Sequence, residues 1–249
     1  NQNKMKKILF LLVVNFFMAM LAQTQTIRYV VPGGAGTKNG SSWADASGDL
    51  QAMINSSVAN DQVWVAKGTY YPDEGAGQID NDRAACFIMK NNLGIYGGFN
   101  GDETVLNERN FNVYETILSG DIDQNDGADF LDSDGNSYHV ICNNGNGVDN
   151  TAILDGFTIK AGNASDNGGG MYWVGGGGMY NWEASPTIAN CNFLKNQGVR
   201  GGAIFFGTGG IAPVEGSPVL TNCSFSENSA SDGGGIYNTG TSYPSLTNC

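Results

Sequence analysis

The sequence predicts an all-β chain wound as a right-handed parallel β-helix, a single-stranded solenoid with a short N-terminal capping helix. Three observations predict it. The dodecamer SPTIANCNFLKN at 185–196 returns as SPVLTNCSFSEN at 217–228 and starts again as YPSLTNC at 243–249. A second motif alternates with it, as GGGMYN (176–181), GGAIFF (201–206) and GGGIYN (233–238). The chain carries 37 glycines beside plentiful aromatic and aliphatic residues, the composition of short strands joined by tight turns. One unit is thus a glycine-rich strand, a variable loop and P-x-[IL]-x-N-C-x-F-x-x-N, recurring every 25 to 32 residues. A period in that range marks a stacked array, in which each unit buries its apolar side against its neighbours.

The elements follow in order. Lys4, Lys6 and Lys7 precede an apolar run at 8–21 and the small Ala22. This reads as a secretory leader over 1–22, too short to span a membrane. A β-helix domain is expected over 23–249, with the cap and irregular coils at 23–162 and regular repeats at 163–249. The chain breaks off inside a repeat at Cys249, so it reads as the N-terminal part of a longer protein. Trp43, Ala46, Leu50, Met53, Ile54 and Val58 fall at helical spacing. They predict one amphipathic helix over 48–57 that covers the first open coil. Strands are expected at 26–31, at 61–71 (stopped by Pro72), and at 86–90, 93–99, 115–121, 138–143 and 152–162.

Within the repeat, Pro186 and Pro218 open a strand, where a missing N–H is tolerated. Ile188 and Leu220 point inward, and so do Phe193 and Phe225. Asn190, Asn222 and Asn248 mark a sharp bend between these positions. Asparagine tolerates left-handed backbone, and stacked amides can hydrogen-bond from coil to coil. Asn196 and Asn228 close the strand. Cys191, Cys223 and Cys249 share one repeat position. They read as a column of small buried side chains, with a disulfide as the alternative in an exported protein.

GGAI at 201–204 and F-x-x-N at 193–196 and 225–228 resemble the two hallmark tetrapeptides of chlamydial polymorphic outer-membrane protein repeats. SSWADASGDLQAMI, DQVWVAKGTYYP, IYGGFNGDET, ILSGDI and ILDGFTIKAGNA are similar to the N-terminal portions of secreted parallel β-helix proteins of Bacteroidota, within the pectate-lyase-like superfamily. The resemblance covers roughly 26–249. It implies the fold, export to a secreted, outer-membrane or cell-surface location, and a sorting or anchoring module further on. It does not choose among adhesins, lyases and hydrolases, because fold does not give function.

Charge narrows the partners. Without the three lysines of the leader, nine bases face 24 acids, a net charge of −15. Nucleic acid and anionic membranes are disfavoured by such a surface. Calcium is not. Asp121, Asp123, Asp126, Asp129, Asp132 and Asp134 place six carboxylates within fourteen residues, with Asn125 among them. Calcium takes six to eight oxygens from a flexible loop, so these seven residues are the candidate Ca²⁺ ligands; a solvated acidic loop is the plain alternative. The stretch is no EF-hand, since Gly127 comes one place late and no Glu closes it. His139, the single histidine, reads as structural, and Arg200 is the only base beside a repeat strand. Tyr180, Phe205 and Tyr237 share a repeat position next to Met179, Ile204 and Ile236. Strand alternation turns the aliphatics inward and the rings outward, where an aromatic ladder can stack on sugar or pack under loops. The expected function is an exported, non-enzymatic stalk or adhesin with glycan or cell-surface protein partners and no membrane span in its mature part. The alternative is a calcium-dependent polysaccharide lyase or another polysaccharide-degrading enzyme.

Overall fold

The computed structural model describes residues 25–165, 174–209 and 217–249; the expected leader at 1–22 lies outside them. These residues are mostly β, with few helices, and every paired strand is parallel. Strands are numbered in chain order. The largest sheet runs β1 (Ile27–Val30), β2 (Gln62–Ala66), β4 (Gly94–Phe99), β7 (Ile153–Asp155), β11 (Thr187–Ala189), β15 (Val219–Thr221) and β19 (Ser245–Thr247). A second holds β3 (Gly68–Tyr70), β5 (Thr116–Ser119), β8 (Thr158–Lys160), β12 (Asn192–Leu194) and β16 (Ser224–Ser226). A third holds β6 (Ile141–Asn144), β10 (Met179–Trp182), β14 (Ile204–Gly207) and β18 (Ile236–Asn238). A fourth, smaller sheet joins β9 (Asn163–Ala164), β13 (Gln197–Arg200) and β17 (Ser229–Asp232). From β6 onward the chain visits third, first, second and fourth sheets in fixed rotation.

Register makes the core. Val63, Ile95, Leu154, Ile188 and Leu220 are successive partners across the first sheet. Leu118, Ile159, Phe193 and Phe225 line up across the second, and Ile141, Met179, Ile204 and Ile236 across the third. All three columns meet in one apolar cluster. The Phe193 and Phe225 rings stack at 5.4 Å.

Bends hold the register. Asn190, Asn222 and Asn248 take φ of 51°, 54° and 52°, the left-handed backbone expected of them. Asn222 Nδ2 donates to Asn190 Oδ1 at 3.1 Å, and Asn248 Nδ2 donates to Asn222 Oδ1 at 3.2 Å. Asn190 Nδ2 in turn donates to Asp155 Oδ1 at 2.8 Å. Gly201, with φ 65°, is required at its turn, where a Cβ would collide with the Ile204 carbonyl.

The helix expected at 48–57 is α1 (Leu50–Ser56), shorter at both ends. The Asp49 carboxylate caps it by accepting from Ala52 N at 2.8 Å. Leu50 and Ile54 join the main apolar cluster, and α1 packs against β1 and β2. Two expected strands are broken. The 61–71 stretch divides at Gly68 (φ 133°) and the 152–162 stretch at Gly156 (φ 85°), and the halves enter different sheets. The expected strand at 86–90 is corrected: only Phe87 bridges, to Ile141. Side chains take the neighbouring amides instead. Gln51 Oε1 accepts from Ile88 N at 2.8 Å, and Asn143 Oδ1 from Met89 N at 3.2 Å.

Cys191 and Cys223 are buried free thiols, as the column reading expects, whereas Cys249 is exposed. A disulfide joins Cys86 to Cys142, a pair outside the repeat column. It fastens the 71–90 stretch to β6.

Truncating Phe193 to Ala removes a ring from the centre of the second-sheet column. The expected loss is about 3–5 kcal/mol of stability, measured by urea unfolding. A loss below about 1 kcal/mol would mean that the column does not carry the core.

Candidate functional site

Three places hold chemistry-bearing side chains. The first is the outer face of the third sheet. Tyr180, Phe205 and Tyr237 are register partners there, in line with Cys142. The rings stack nearly parallel, Tyr180 on Phe205 at 5.2 Å and Phe205 on Tyr237 at 5.8 Å. His139 extends the stack, 4.9 Å from Tyr180. These rings lie on the side opposite Met179, Ile204 and Ile236, as alternation requires. Their exposure differs from an open ladder. Tyr180 is 1% and Phe205 7% exposed, and only Tyr237 is half-buried. A cavity of about 260 Å³ beside them is lined by Trp182, Arg200 and Thr208 as well. The exposed Arg200 guanidinium lies 5.6 Å from the Tyr237 ring centre and 4.0 Å from Asp232.

His139 is built in rather than poised. Its Nδ1 lies 3.0 Å from the Gly176 carbonyl, which makes that nitrogen the donor. Burial pushes its pKa down to about 4, so the ring is neutral at physiological pH.

The second place is the acidic loop. Asp121 Oδ1 accepts from the backbone N–H groups of Asn125 (2.9 Å) and Asp126 (3.4 Å). Asn125 Nδ2 donates to Asp123 Oδ2 at 2.8 Å. Asn136 Nδ2 donates to Asp126 Oδ2 at 2.9 Å and to the Ala161 carbonyl at 2.7 Å. Asp121, Asp123, Asn125 and Asp126 are thus brought together around one turn. Asp129, Asp132 and Asp134 are exposed, and their side chains share no hydrogen bond with that turn among the described residues. Among the described residues, no three acidic, histidine or cysteine groups converge closely enough to hold a metal ion. Asp126 is pushed above the usual carboxylate range, chiefly by burial and then by the charges of Asp121 and Asp123.

The third place was not singled out by the sequence. A groove of about 520 Å³ runs along the outer start of the second sheet. Thr158, Asn192 and Ser224 are register partners along its floor. Phe111, Asn112 and Glu115 form one wall. The repeat signal for it was present, since Asn192 and Ser224 each follow the Asn-Cys pair. The wall comes from a non-repeating loop that no pattern announces.

No family model, no curated protein and no solved structure matches the chain.

Asp126 supplies a pH test. Its folded-state pKa lies above its unfolded value, so the stability it adds is present at low pH and lost as pH rises past 3.8 toward the raised value. Asp126→Asn is therefore expected to raise the melting temperature at pH 7 and to have less effect near pH 4. A lower melting temperature at pH 7 would contradict this. The calcium expectation has its own check in the same melts: millimolar calcium raises the parent's melting temperature and not the variant's. Equal null responses would end it.

Proposed function

We propose that the chain is an exported module of the right-handed parallel β-helix type, acting as a rigid stalk or adhesive surface toward glycan or cell-surface protein partners. The observation that carries the reading is the in-register rotation of the chain through its parallel sheets. Each round adds one layer about 4.8 Å deep and sets its outward side chains in register with those of the layer before, like on like at Tyr180, Phe205 and Tyr237 and at Asn192 and Ser224. Such an array presents rows of like groups, which suits a polymeric partner better than a small metabolite. The apolar-run leader and the Cys86–Cys142 disulfide both fit an oxidising, extracytoplasmic setting. Among the described residues no helix is long and apolar enough to cross a membrane. The groove favours glycan among the partners, since it combines an aromatic side chain with Asn, Ser and Thr hydrogen-bonding groups.

The test is to incubate the folded protein with neutral and acidic polysaccharides, with calcium and then with a chelator. Polymer length is followed by size-exclusion chromatography and retention by affinity electrophoresis. The expected result is retention without chain shortening. Shortening would make the protein an enzyme, and its loss on chelation would identify the calcium-dependent lyase.

A further inference from the structure

We propose that the groove along the second sheet is the glycan-binding site, and that it takes a neutral polysaccharide laid across the strands. This rests on the adhesive reading above and adds the place and the ligand class. Three observations lead to it.

The aromatic column is an unsuitable platform, because two of its three rings are covered. The groove is open, and its volume of about 520 Å³ lies within the range of about 300–1,000 Å³ typical of ligand clefts. Its floor repeats a small polar side chain in register on β8, β12 and β16 (Thr158, Asn192 and Ser224). Neighbouring strands lie about 4.8 Å apart; Asn192 and Ser224 offer a polar group in two successive layers, while Thr158 is buried and holds Glu115.

The hydrogen-bonding groups are part satisfied and part free. Thr158 Oγ1 donates to Glu115 Oε1 at 2.8 Å, and Ser224 Oγ donates to Asn192 Oδ1 at 2.9 Å. These bonds fix the carboxylate and the amide in place. Glu115 Oε2, Asn192 Nδ2 and the Asn112 side-chain amide have no hydrogen-bond partner among the described residues. Two amides that donate and accept, beside a carboxylate that accepts, complement sugar hydroxyls, each of which does both. Phe111 adds an aromatic side chain to the same wall, its ring centre 5.5 Å from the Arg109 guanidinium.

Charge selects the class. Glu115 is the one ionisable wall residue, the Asp155 carboxylate lies beneath Asn190, and the whole chain carries −12. Among the described lining residues there is no Lys, Arg or His to receive a uronate or sulfate. Arg109 is near, but its guanidinium is engaged by the Asp155 carboxylate at 2.7 Å and by the Gly97 carbonyl at 3.1 Å. An anionic polymer would meet like charge without a counter-charge. A neutral glucan, mannan or xylan meets none.

The experiment is affinity electrophoresis of the folded chain through gels containing neutral glucan, mannan, xylan or polygalacturonate. The parent is run beside Asn112→Ala/Asn192→Ala, Glu115→Gln and Tyr237→Ala, each checked by thermal melting. The parent is expected to be retarded by at least one neutral polymer. The double variant should bind it about tenfold more weakly or worse, and Tyr237→Ala as the parent does. Glu115→Gln, which keeps an acceptor for Thr158 but removes the charge, should gain retardation by polygalacturonate. A folded double variant with parental affinity overturns the groove as the site. A parent retarded by polygalacturonate in preference to every neutral polymer overturns the ligand class. Both outcomes leave the adhesive reading standing. A folded parent that no polymer retards overturns the glycan reading itself, and that is visible without any variant.

Discussion

The rest of the molecule depends on a single hydrogen-bonded file: Arg109 to Asp155, Asp155 to Asn190, Asn190 to Asn222, and Asn222 to Asn248. It sits where the chain turns from the first sheet into the second. That turn needs a residue at positive φ, and asparagine is the side chain that tolerates it while carrying both a donor and an acceptor. Asn190 and Asn222 each donate down and accept from above, so a layer displaced by one residue would lose the match. The register that this file holds aligns Ile188 on Leu220 and Phe193 on Phe225, and the core follows from it. At its lower end the file closes on a carboxylate held by a guanidinium, both mostly shielded from solvent. The last carbonyl-like partner is thus an anion with a counter-charge, and no amide donor is left without an acceptor there.

Legibility in the sequence followed periodicity. From 176 onward the two motifs alternate, and the inward positions, the left-handed asparagines and the outward rings all stand where the pattern puts them. Before that the units differ in length and content, and single stretches conceal two strands. Gly68 and Gly156 turn the chain between sheets inside what reads as one apolar run. At 86–90 the apolar alternation is real, yet Gln51 and Asn143 take the backbone amides that a strand would need. Competition of that kind arises from residues far off in the chain, and so does the Cys86–Cys142 pair.

The candidate sites divide in the same way. Alternation correctly put Tyr180, Phe205 and Tyr237 opposite the aliphatic core, but alternation says only which side a ring takes, not whether that side is covered. In the acidic loop, composition found the carboxylates. It could not say that Asp121 is spent on backbone N–H groups or that Asp129, Asp132 and Asp134 take no part in the turn's hydrogen bonds. The groove needed both a repeat column and a loop wall, and only the column is written in a pattern. A layered surface with its distinctive side chains supplied by loops can change those loops without changing its core.

Layers joined by the same register and the same asparagine file are interchangeable. The most direct measurement removes one whole period. Deleting residues 187–218 joins Pro186 to Val219, reproducing the Pro218–Val219 junction, and should leave a folded protein. Circular dichroism should show the parent's β signal with a cooperative melt. Deleting half that length, 187–202, breaks the rotation among sheets and should abolish the melt. If the half-period deletion melts as cooperatively as the whole-period one, or if the whole-period deletion is unfolded, the account is wrong.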